Sequence, residues 1–265
     1  MQDEVNEKVV SLAIKTSKLT AEVLQKAMKA LLAKGKGQLT KAPHGKITMR
    51  QLMKPGEKVR VSDSAERAYF CHVEELSQDE VWMKIDAVDE QGTEFAHKVY
   101  LFQGLPKGDK MELIIQKSVE LGVNTIIPVA MKNCVVKLDE KKAANKVKRW
   151  QAIAESAAKQ SKRTVIPEVK MPVSWKEAVR QAKILDITLV PYENERGLQA
   201  TREIMQGIPD GATIGVMIGP EGGFSPEEIA EVDGTMHRIS LGRRILRTET
   251  AGLATLSMLI YTLDV

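Results

Sequence analysis

The chain has 265 residues, of which 43% are hydrophobic, and its 39 basic and 35 acidic residues give a net charge of +4. That length allows one large domain or two ordinary ones, and the small net charge permits an anionic partner without requiring one. The two cysteines, Cys71 and Cys134, lack the spacing of a zinc site or a disulfide framework. The first residues, MQDEVNEKVV, are acidic where a signal peptide is basic, and no apolar run approaches the length of a membrane span. We therefore expect a soluble, cytoplasmic protein with two domains.

The first predicted element is a helix over residues 3–34, in which apolar side chains recur at spacings of three, four and seven. Gly35 stands at the position of a C-cap, and Thr20 could begin a second helix within the segment. The following stretch, GKGQLTKAPHGK, combines glycine, proline and basic residues without any period. It is typical of a linker.

Short runs of alternating polar and apolar residues follow Pro55: EKVRVSD, AYFCHVEEL and VWMKIDAV. Polar turns separate the runs, as expected for neighbouring antiparallel strands. The apolar residues of one face are Val59, Val61, Tyr69, Cys71, Val73, Val81, Met83 and Ile85. This region is predicted to be a small antiparallel sheet or barrel.

Beyond Gly92 the pattern changes to strands that alternate with helices. KVYLFQG precedes DKMELIIQKSVELG, TIIPVA precedes ANKVKRWQAIAESAAKQS, and ILDITLVPY precedes GLQATREIMQG. TIGVMIG then leads to a helix that begins with the capping box of Ser225 and Glu228, MHRISL is a further strand, and TETAGLATLSMLIYTL is a closing helix. The alternation predicts an α/β fold with a parallel sheet covered by helices on both faces.

Three segments that follow predicted strands carry unusual residues: VPYEN (190–194), IGPEGG (218–223) and SLGRRILRTETA (240–251). In a sheet of this type, ligands bind beyond the carboxyl ends of the strands, and glycines allow the backbone to approach them closely. Each segment could also be a plain turn. The glycines of VMIGPEGGFSPEEI fit neither of the usual phosphate-binding patterns, so an ordinary phosphate-cofactor enzyme is not favoured.

The third segment concentrates arginines just ahead of the closing helix. Arg243, Arg244 and Arg247 lie within five positions, next to Glu249 and Thr250. Guanidinium groups suit phosphates and base edges, so the cluster indicates nucleic-acid contact. The alternative is a solvated helix entrance with an internal Arg–Glu pair.

Other polar residues are weaker candidates. The four histidines are scattered without metal-ligand spacing, so no metal site is predicted. In LPKGDKME, Lys107 and Lys110 could contact RNA, whereas an N-cap by Asp109 is the simpler explanation of the motif.

Four motifs in order carry a resemblance to a known family: QGLPKGDKMELIIQKSVELGV, AESAAKQSKRTVIPEV, IGPEGGFSPEEI and LGRRILRTETA. Over about residues 53–265 the chain resembles the RsmE family of ribosomal RNA methyltransferases, of the SPOUT superfamily. The resemblance implies S-adenosylmethionine-dependent methylation of N3 of a uridine in 16S ribosomal RNA of the small subunit. It also implies a SPOUT-type parallel sheet with a C-terminal deep trefoil knot, and a homodimer that packs through the closing helix.

The resemblance also assigns the site, with Arg247 in an electrostatic role at the uracil, Glu249 orienting it, and Arg163 as a further catalytic residue. Arg244, Lys107 and Lys110 would contact RNA. The cofactor would be held by Val190, Pro191, Tyr192, Ile218, Gly219, Pro220, Glu221, Gly222, Leu241, Gly242, Ile245, Leu246, Thr250 and Ala251.

The N-terminal part departs from the family pattern. Residues 1–50 resemble instead a small protein family found on conjugative elements, so the chain is predicted to be a fusion. The predicted domains are an atypical helical extension and linker (1–52), a partial, PUA-like RNA-binding β domain (53–92) and the methyltransferase domain with the knot (93–265). The alternative function is a catalytically impaired fusion that binds cofactor or acts as an interaction module for RNA or protein.

Overall fold

The computed structural model describes residues 54–62, 67–76, 81–90 and 92–264. The helix and linker predicted for residues 3–46 lie outside the described residues. Contacts divide the chain into two units. Of the described residues, the first unit contains those up to Glu94 together with Lys159–Val165, and the second contains Phe95–Ala158 and those from Ile166 onward. Sequence reasoning did not predict that Lys159–Val165 belongs with the first unit.

The first unit contains an antiparallel sheet of three described strands in the order β1–β2–β3. The strands are β1 (Lys58–Ser62), β2 (Ala68–Leu76) and β3 (Val81–Asp89). Its core consists of side chains that sequence alternation placed on one face: Val59, Val61, Cys71, Val73 and Met83, with Tyr69 and Ile85 packed against them. The predicted antiparallel sheet is therefore confirmed. The same burial, with Asp86 nearby, raises the pKa of the Cys71 thiol to about 11.

The second unit contains a sheet of seven described strands, all paired in parallel. They are β4 (Lys98–Gly104), β5 (Thr125–Ala130), β6 (Glu168–Val169), β7 (Val173–Ser174), β8 (Ile187–Pro191), β9 (Thr213–Ile218) and β10 (His237–Ile239). The order is β10–β8–β9–β4–β5–β6, and β7 also pairs with β5. Since β9 lies between β8 and β4, the chain that follows β9 leaves the middle of the sheet.

Six described helices connect and cover these strands. They are α1 (Lys110–Glu120), α2 (Glu140–Gln160), α3 (Trp175–Ala182), α4 (Gln199–Gln206), α5 (Pro226–Val232) and α6 (Thr248–Leu263). Leu101 and Phe102, neighbours in β4, are both buried but belong to separate apolar clusters. Because successive strand side chains point to opposite faces, the sheet has a core on each side, and the predicted α/β fold with a parallel sheet is confirmed.

Two helix N-termini were predicted to be capped, those of α5 and α1. The Ser225 side chain accepts a hydrogen bond from the backbone N–H of Glu228, whose carboxylate accepts from the backbone N–H of Ser225, so the predicted capping box at α5 is confirmed. Asp109 stands at the N-cap position of α1, but its side chain makes no capping hydrogen bond, and that prediction was wrong. The reason is its backbone: φ −96° and ψ 8° differ from the extended conformation that capping residues adopt.

None of the helices in the described part of the chain is both long and apolar enough to cross a membrane.

Candidate functional site

A cleft in the second unit lies where three parallel strands end. Its lining comes from the segments after β8, β9 and β10 and from the start of α6, which are the three segments singled out in the sequence. The lining residues are Pro191, Tyr192, Glu193, Glu195, Arg196, Ile218, Gly219, Pro220, Gly223, Phe224, Leu241, Gly242, Arg243, Arg244, Ile245, Leu246, Thr248 and Ala251. The space outside protein atoms is ≈ 740 Å³, part of it open to solvent.

Most residues predicted to hold a cofactor do line this cleft. They are Pro191, Tyr192, Ile218, Gly219, Pro220, Leu241, Gly242, Ile245, Leu246 and Ala251. Val190, Glu221, Gly222 and Thr250 are not among the lining residues. Val190 is completely buried in the core, and Thr250 is exposed on α6.

The turn after β9 directs Glu221 and Gly222 away from the cleft. The backbone N–H of Gly223 donates to the carbonyl of Pro220 at 2.9 Å, which closes a tight turn. The side chain of Asn133 donates to the carbonyl of Gly222 at 3.0 Å, and a Cβ on Gly222 would lie only 2.9 Å from the Cβ of Asn133. Gly222 is therefore required for contact with the loop after β5.

The same turn passes directly over the end of β4. A Cβ on Gly104 would lie 2.6 Å from the backbone nitrogen of Pro220 and 2.8 Å from the sulfur of Met131. A Cβ essentially never approaches a non-bonded atom this closely, so only glycine fits here. The close approach fixes the position of Pro220, one of the cleft walls.

A buried hydrogen-bonded pair joins two walls of the cleft. The hydroxyl of Thr248, the first residue of α6, donates to the carbonyl of Gly219 at 2.7 Å and accepts from Nε2 of Gln103 at 2.9 Å. Sequence reasoning singled out neither Thr248 nor Gln103. A signal for Gln103 was present, because an amide inside the apolar strand KVYLFQG must find partners when buried.

Next to the cleft lies a chain of alternating charges. Oε1 of Glu221 accepts from Nζ of Lys110 at 2.9 Å and from the backbone N–H of Lys107 at 3.0 Å. Nζ of Lys110 is also 3.5 Å from Oε2 of Glu249, whose Oε1 is 4.0 Å from Nη1 of Arg247. The structure thus brings together residues to which the sequence analysis gave three different roles, and the side chain of Lys107 is left exposed.

The charges in this chain stabilise each other's ionised forms. The hydrogen bond to Glu221 raises the pKa of Lys110, although partial desolvation acts against it. Burial alone would raise the pKa of Glu221, but the hydrogen bonds from Lys110 and from the Lys107 backbone outweigh it and hold that pKa below its usual value.

The arginines of the third segment differ in position. Arg243 and Arg244 line the cleft with exposed side chains. Arg247 is outside the lining, and its side chain is 83% exposed at the entrance to α6. Its neighbour Ile245 lines the cleft although 78% of it is exposed, which is unusual for a large apolar residue.

Arg163 lies in the first unit, in the segment Lys159–Val165. Its Nε and Nη2 donate to Oε2 of Glu94 at 3.0 and 2.6 Å, and its side chain is only 4% exposed. Glu94 also accepts from the backbone N–H groups of Thr164 and Val165 at 2.7 and 3.1 Å. Although burial would raise the pKa of Glu94, these hydrogen bonds and the charge of Arg163 lower it. The structure does not place Arg163 in the lining of the cleft.

The described part of the chain contains no group of three or more His, Cys, Asp or Glu side chains placed to hold a metal ion.

Comparisons with known proteins agree with this geometry. A family model for an RNA methyltransferase domain matches residues 93–260. Ribosomal RNA small subunit methyltransferase E of Bacillus subtilis (strain 168) is 40% identical to this chain over 197 residues, which cover 72% of this chain and 76% of the relative.

Two solved structures are similar over most of the chain. Ribosomal RNA small subunit methyltransferase E from Neisseria gonorrhoeae, bound to S-adenosyl methionine, has a TM-score of 0.69 and 26% identity, covering 95% of this chain and 92% of that one. A putative methyltransferase from Legionella pneumophila, in complex with the same cofactor, has a TM-score of 0.66 and 34% identity, covering 79% and 85%. The strand-end cleft, the family match and the curated relative together establish that this chain belongs to the RsmE family of ribosomal RNA methyltransferases.

Proposed function

We propose that this chain uses S-adenosylmethionine to methylate N3 of a uridine in the 16S ribosomal RNA of the small ribosomal subunit. The observation that carries the proposal is the cleft formed by the segments after β8, β9 and β10. A relative named ribosomal RNA small subunit methyltransferase E is similar in sequence, and a solved structure with that name, bound to S-adenosyl methionine, is similar in fold. The reaction takes place in the cytoplasm, where the substrate is made.

The cleft fits the cofactor in the chemistry of its walls. Apolar side chains and backbone groups suit an adenine ring, and two of the three walls contain glycines that leave the backbone accessible. The exposed Ile245 would be covered by a ligand bound in the cleft. The residues proposed to hold the cofactor are Pro191, Tyr192, Ile218, Gly219, Pro220, Leu241, Gly242, Ile245, Leu246 and Ala251. Val190, Glu221, Gly222 and Thr250 support them from outside the lining.

The cofactor supplies an activated methyl group, so the protein has two tasks. It must align the uracil with the methyl, and it must stabilise the negative charge that develops as N3 loses its proton. Arg247 is proposed for the second task, because its guanidinium is exposed beside the cleft. Glu249, itself held by Lys110, limits the directions that Arg247 can take.

RNA contacts are proposed for Arg244 in the cleft and for the exposed side chain of Lys107. Lys110 is paired with the carboxylates of Glu221 and Glu249. Its proposed role toward RNA is therefore to neutralise these two negative charges at the surface that RNA would approach. The catalytic role predicted for Arg163 draws no support from its contacts, and we assign this residue a structural role with Glu94.

The proposal includes a deep trefoil knot and a homodimer. The insertion of β9 between β8 and β4, followed by the contact between Thr248 and the carbonyl after β9, supports a chain that passes through its own loop. The closing helix α6 carries no charged side chain after Glu249, and Tyr261 on its surface is 91% exposed. Such a face suits a second copy of the chain.

The test measures cofactor binding and methyl transfer on the same sample. Calorimetric titration with S-adenosylmethionine is followed by transfer of a radiolabelled methyl group to unmethylated small ribosomal subunits. Arg247→Ala should abolish transfer and leave cofactor affinity within about twofold, whereas wild-type rates in this variant would remove Arg247 from the mechanism. Arg180→Ala is the matched control, because Arg180 is also exposed and paired with a glutamate.

The same two measurements on the wild-type chain distinguish an active methyltransferase from a catalytically impaired fusion. Binding with transfer supports the enzyme. Binding without transfer would instead support a fusion whose RNA recognition has failed, and no binding would overturn the assignment of the cleft.

A further inference from the structure

Gln103 is a polar residue at the centre of an apolar parallel sheet. It stands in β4 opposite Pro128 of β5 and Ile218 of β9, and it is completely buried. Its side chain lies on the same side of the strand as Leu101, toward the cluster that includes α6. It is not part of the cleft lining.

The hydrogen bonds of Gln103 fix the orientation of its amide. Nε2 donates to the carbonyl of Gly104 at 3.1 Å and to the hydroxyl of Thr248 at 2.9 Å. A flipped amide would place its oxygen against the carbonyl oxygen of Gly104, and two acceptors repel each other. Oε1 faces the position of Gly252 in α6 and is buried without a hydrogen-bond partner among the residues that the structure describes.

The bond from Gln103 determines what the Thr248 hydroxyl can do. Because that oxygen accepts from Nε2, its own hydrogen is directed to the carbonyl of Gly219. Gly219 belongs to the wall after β9, whereas Thr248 follows directly on the wall formed by residues 241–246. The three residues thus connect two walls of the cleft through one buried hydroxyl.

We infer that Gln103 is a positioning residue for the cofactor cleft: through the Thr248 hydroxyl it holds the carbonyl of Gly219 and the start of α6 in the arrangement that binds S-adenosylmethionine. This inference rests on the proposed function. A buried amide has to place its donors, and the two partners of the Gln103 amide nitrogen are the Gly104 carbonyl and the Thr248 hydroxyl, so its effect is exerted at the start of α6. Walls arranged before the ligand arrives reduce the ordering that binding would otherwise require.

The experiment combines three variants in calorimetric titrations with S-adenosylmethionine. Gln103→Met keeps the volume and removes the donor, and Thr248→Val removes the hydroxyl. Each should weaken cofactor binding about tenfold, which corresponds to the loss of one hydrogen bond. Because both variants break the same relay, the double variant should bind no more weakly than Thr248→Val alone. Thr248→Ser, which keeps the hydroxyl, should bind within about twofold of wild type.

The control is Thr255→Val, which removes a buried hydroxyl that donates to the Ala251 carbonyl within α6. Thr255→Val should leave cofactor affinity within about twofold of wild type. In the absence of cofactor, Gln103→Met should change the melting temperature no more than Thr255→Val does. Wild-type affinity in Gln103→Met would overturn the inference, as would additive losses in the double variant. No binding by the wild-type chain would instead reject the proposed function, and the inference with it.

Discussion

Replacing Glu94 by glutamine should destabilise the first unit strongly. The change keeps the shape of the side chain but removes the negative charge that pairs with the Arg163 guanidinium, whose side chain is only 4% exposed. Removing one partner of a buried ion pair costs about 3–5 kcal/mol, and the glutamine oxygen can still accept some of the hydrogen bonds. We therefore expect a loss of about 3 kcal/mol.

Hydrogen exchange under native conditions is the appropriate assay, because two units need not unfold together and a single unfolding transition would average them. A loss of about 3 kcal/mol should accelerate exchange of the β1–β3 amides roughly a hundredfold. The matched control is Asp86→Asn, which breaks the half-exposed pair with His72 in the same unit. It should cost less than about 1 kcal/mol. Equal exchange in the two variants would refute the assignment of Glu94 as the buried anchor.

Arg163→Met separates the structural role of this arginine from the catalytic one. If Arg163 acts through Glu94, exchange in β1–β3 should accelerate as it does in Glu94→Gln. Unchanged exchange together with a complete loss of methyl transfer would contradict the structural reading and support catalysis.

Four further changes test other parts of the structure. Gly104→Ala should weaken S-adenosylmethionine binding in calorimetry, because the added Cβ would lie 2.6 Å from the Pro220 nitrogen. In Gly252→Ala the nearest neighbour of the added Cβ is 3.5 Å away, so this change should instead stabilise α6 by up to about 1 kcal/mol in thermal melts. Because the pKa of Glu94 is lowered from 4.5, its stabilisation is complete well above that pH and is lost as the pH falls below it; the protection of the β1–β3 amides, which is their exchange rate relative to that of an unfolded chain at the same pH, should therefore decrease below about pH 4.5, and less so in Glu94→Gln. Ser225→Ala should cost about 1 kcal/mol in thermal melts through loss of the α5 cap, and an unchanged melting temperature would contradict this.

Most elements of the second unit were predictable because their signals are local, whereas the two-residue strands β6 and β7 were not predicted. β4 matches the predicted run KVYLFQG, and α6 matches TETAGLATLSMLIYTL, residue for residue. A parallel strand buried on both faces is a continuous apolar run, and few other local structures produce one between two polar turns. The position of the cleft was also predictable, since the carboxyl ends of parallel strands lie at one edge of the sheet.

The details that sequence reasoning did not find depend on contacts between distant segments. Nothing near Glu221 indicates that it turns toward Lys107 and Lys110, because those residues are more than a hundred positions earlier in the chain. Asn133 similarly holds Gly222 from the loop after β5. Arg163 could be recognised as a conspicuous arginine, but its partner Glu94 lies about seventy positions away.

These distant contacts give the motif QGLPKGDK a physical role. None of its residues lines the cleft, yet Gln103 bonds to Thr248, Gly104 makes room for the turn after β9, and both lysines bond to Glu221 in that turn. Three independent contacts thus position one cleft wall from beneath and from the side. A segment that touches no ligand can therefore control cofactor affinity, and substitutions at Gln103 or Gly104 should alter binding of S-adenosylmethionine rather than affinity for RNA.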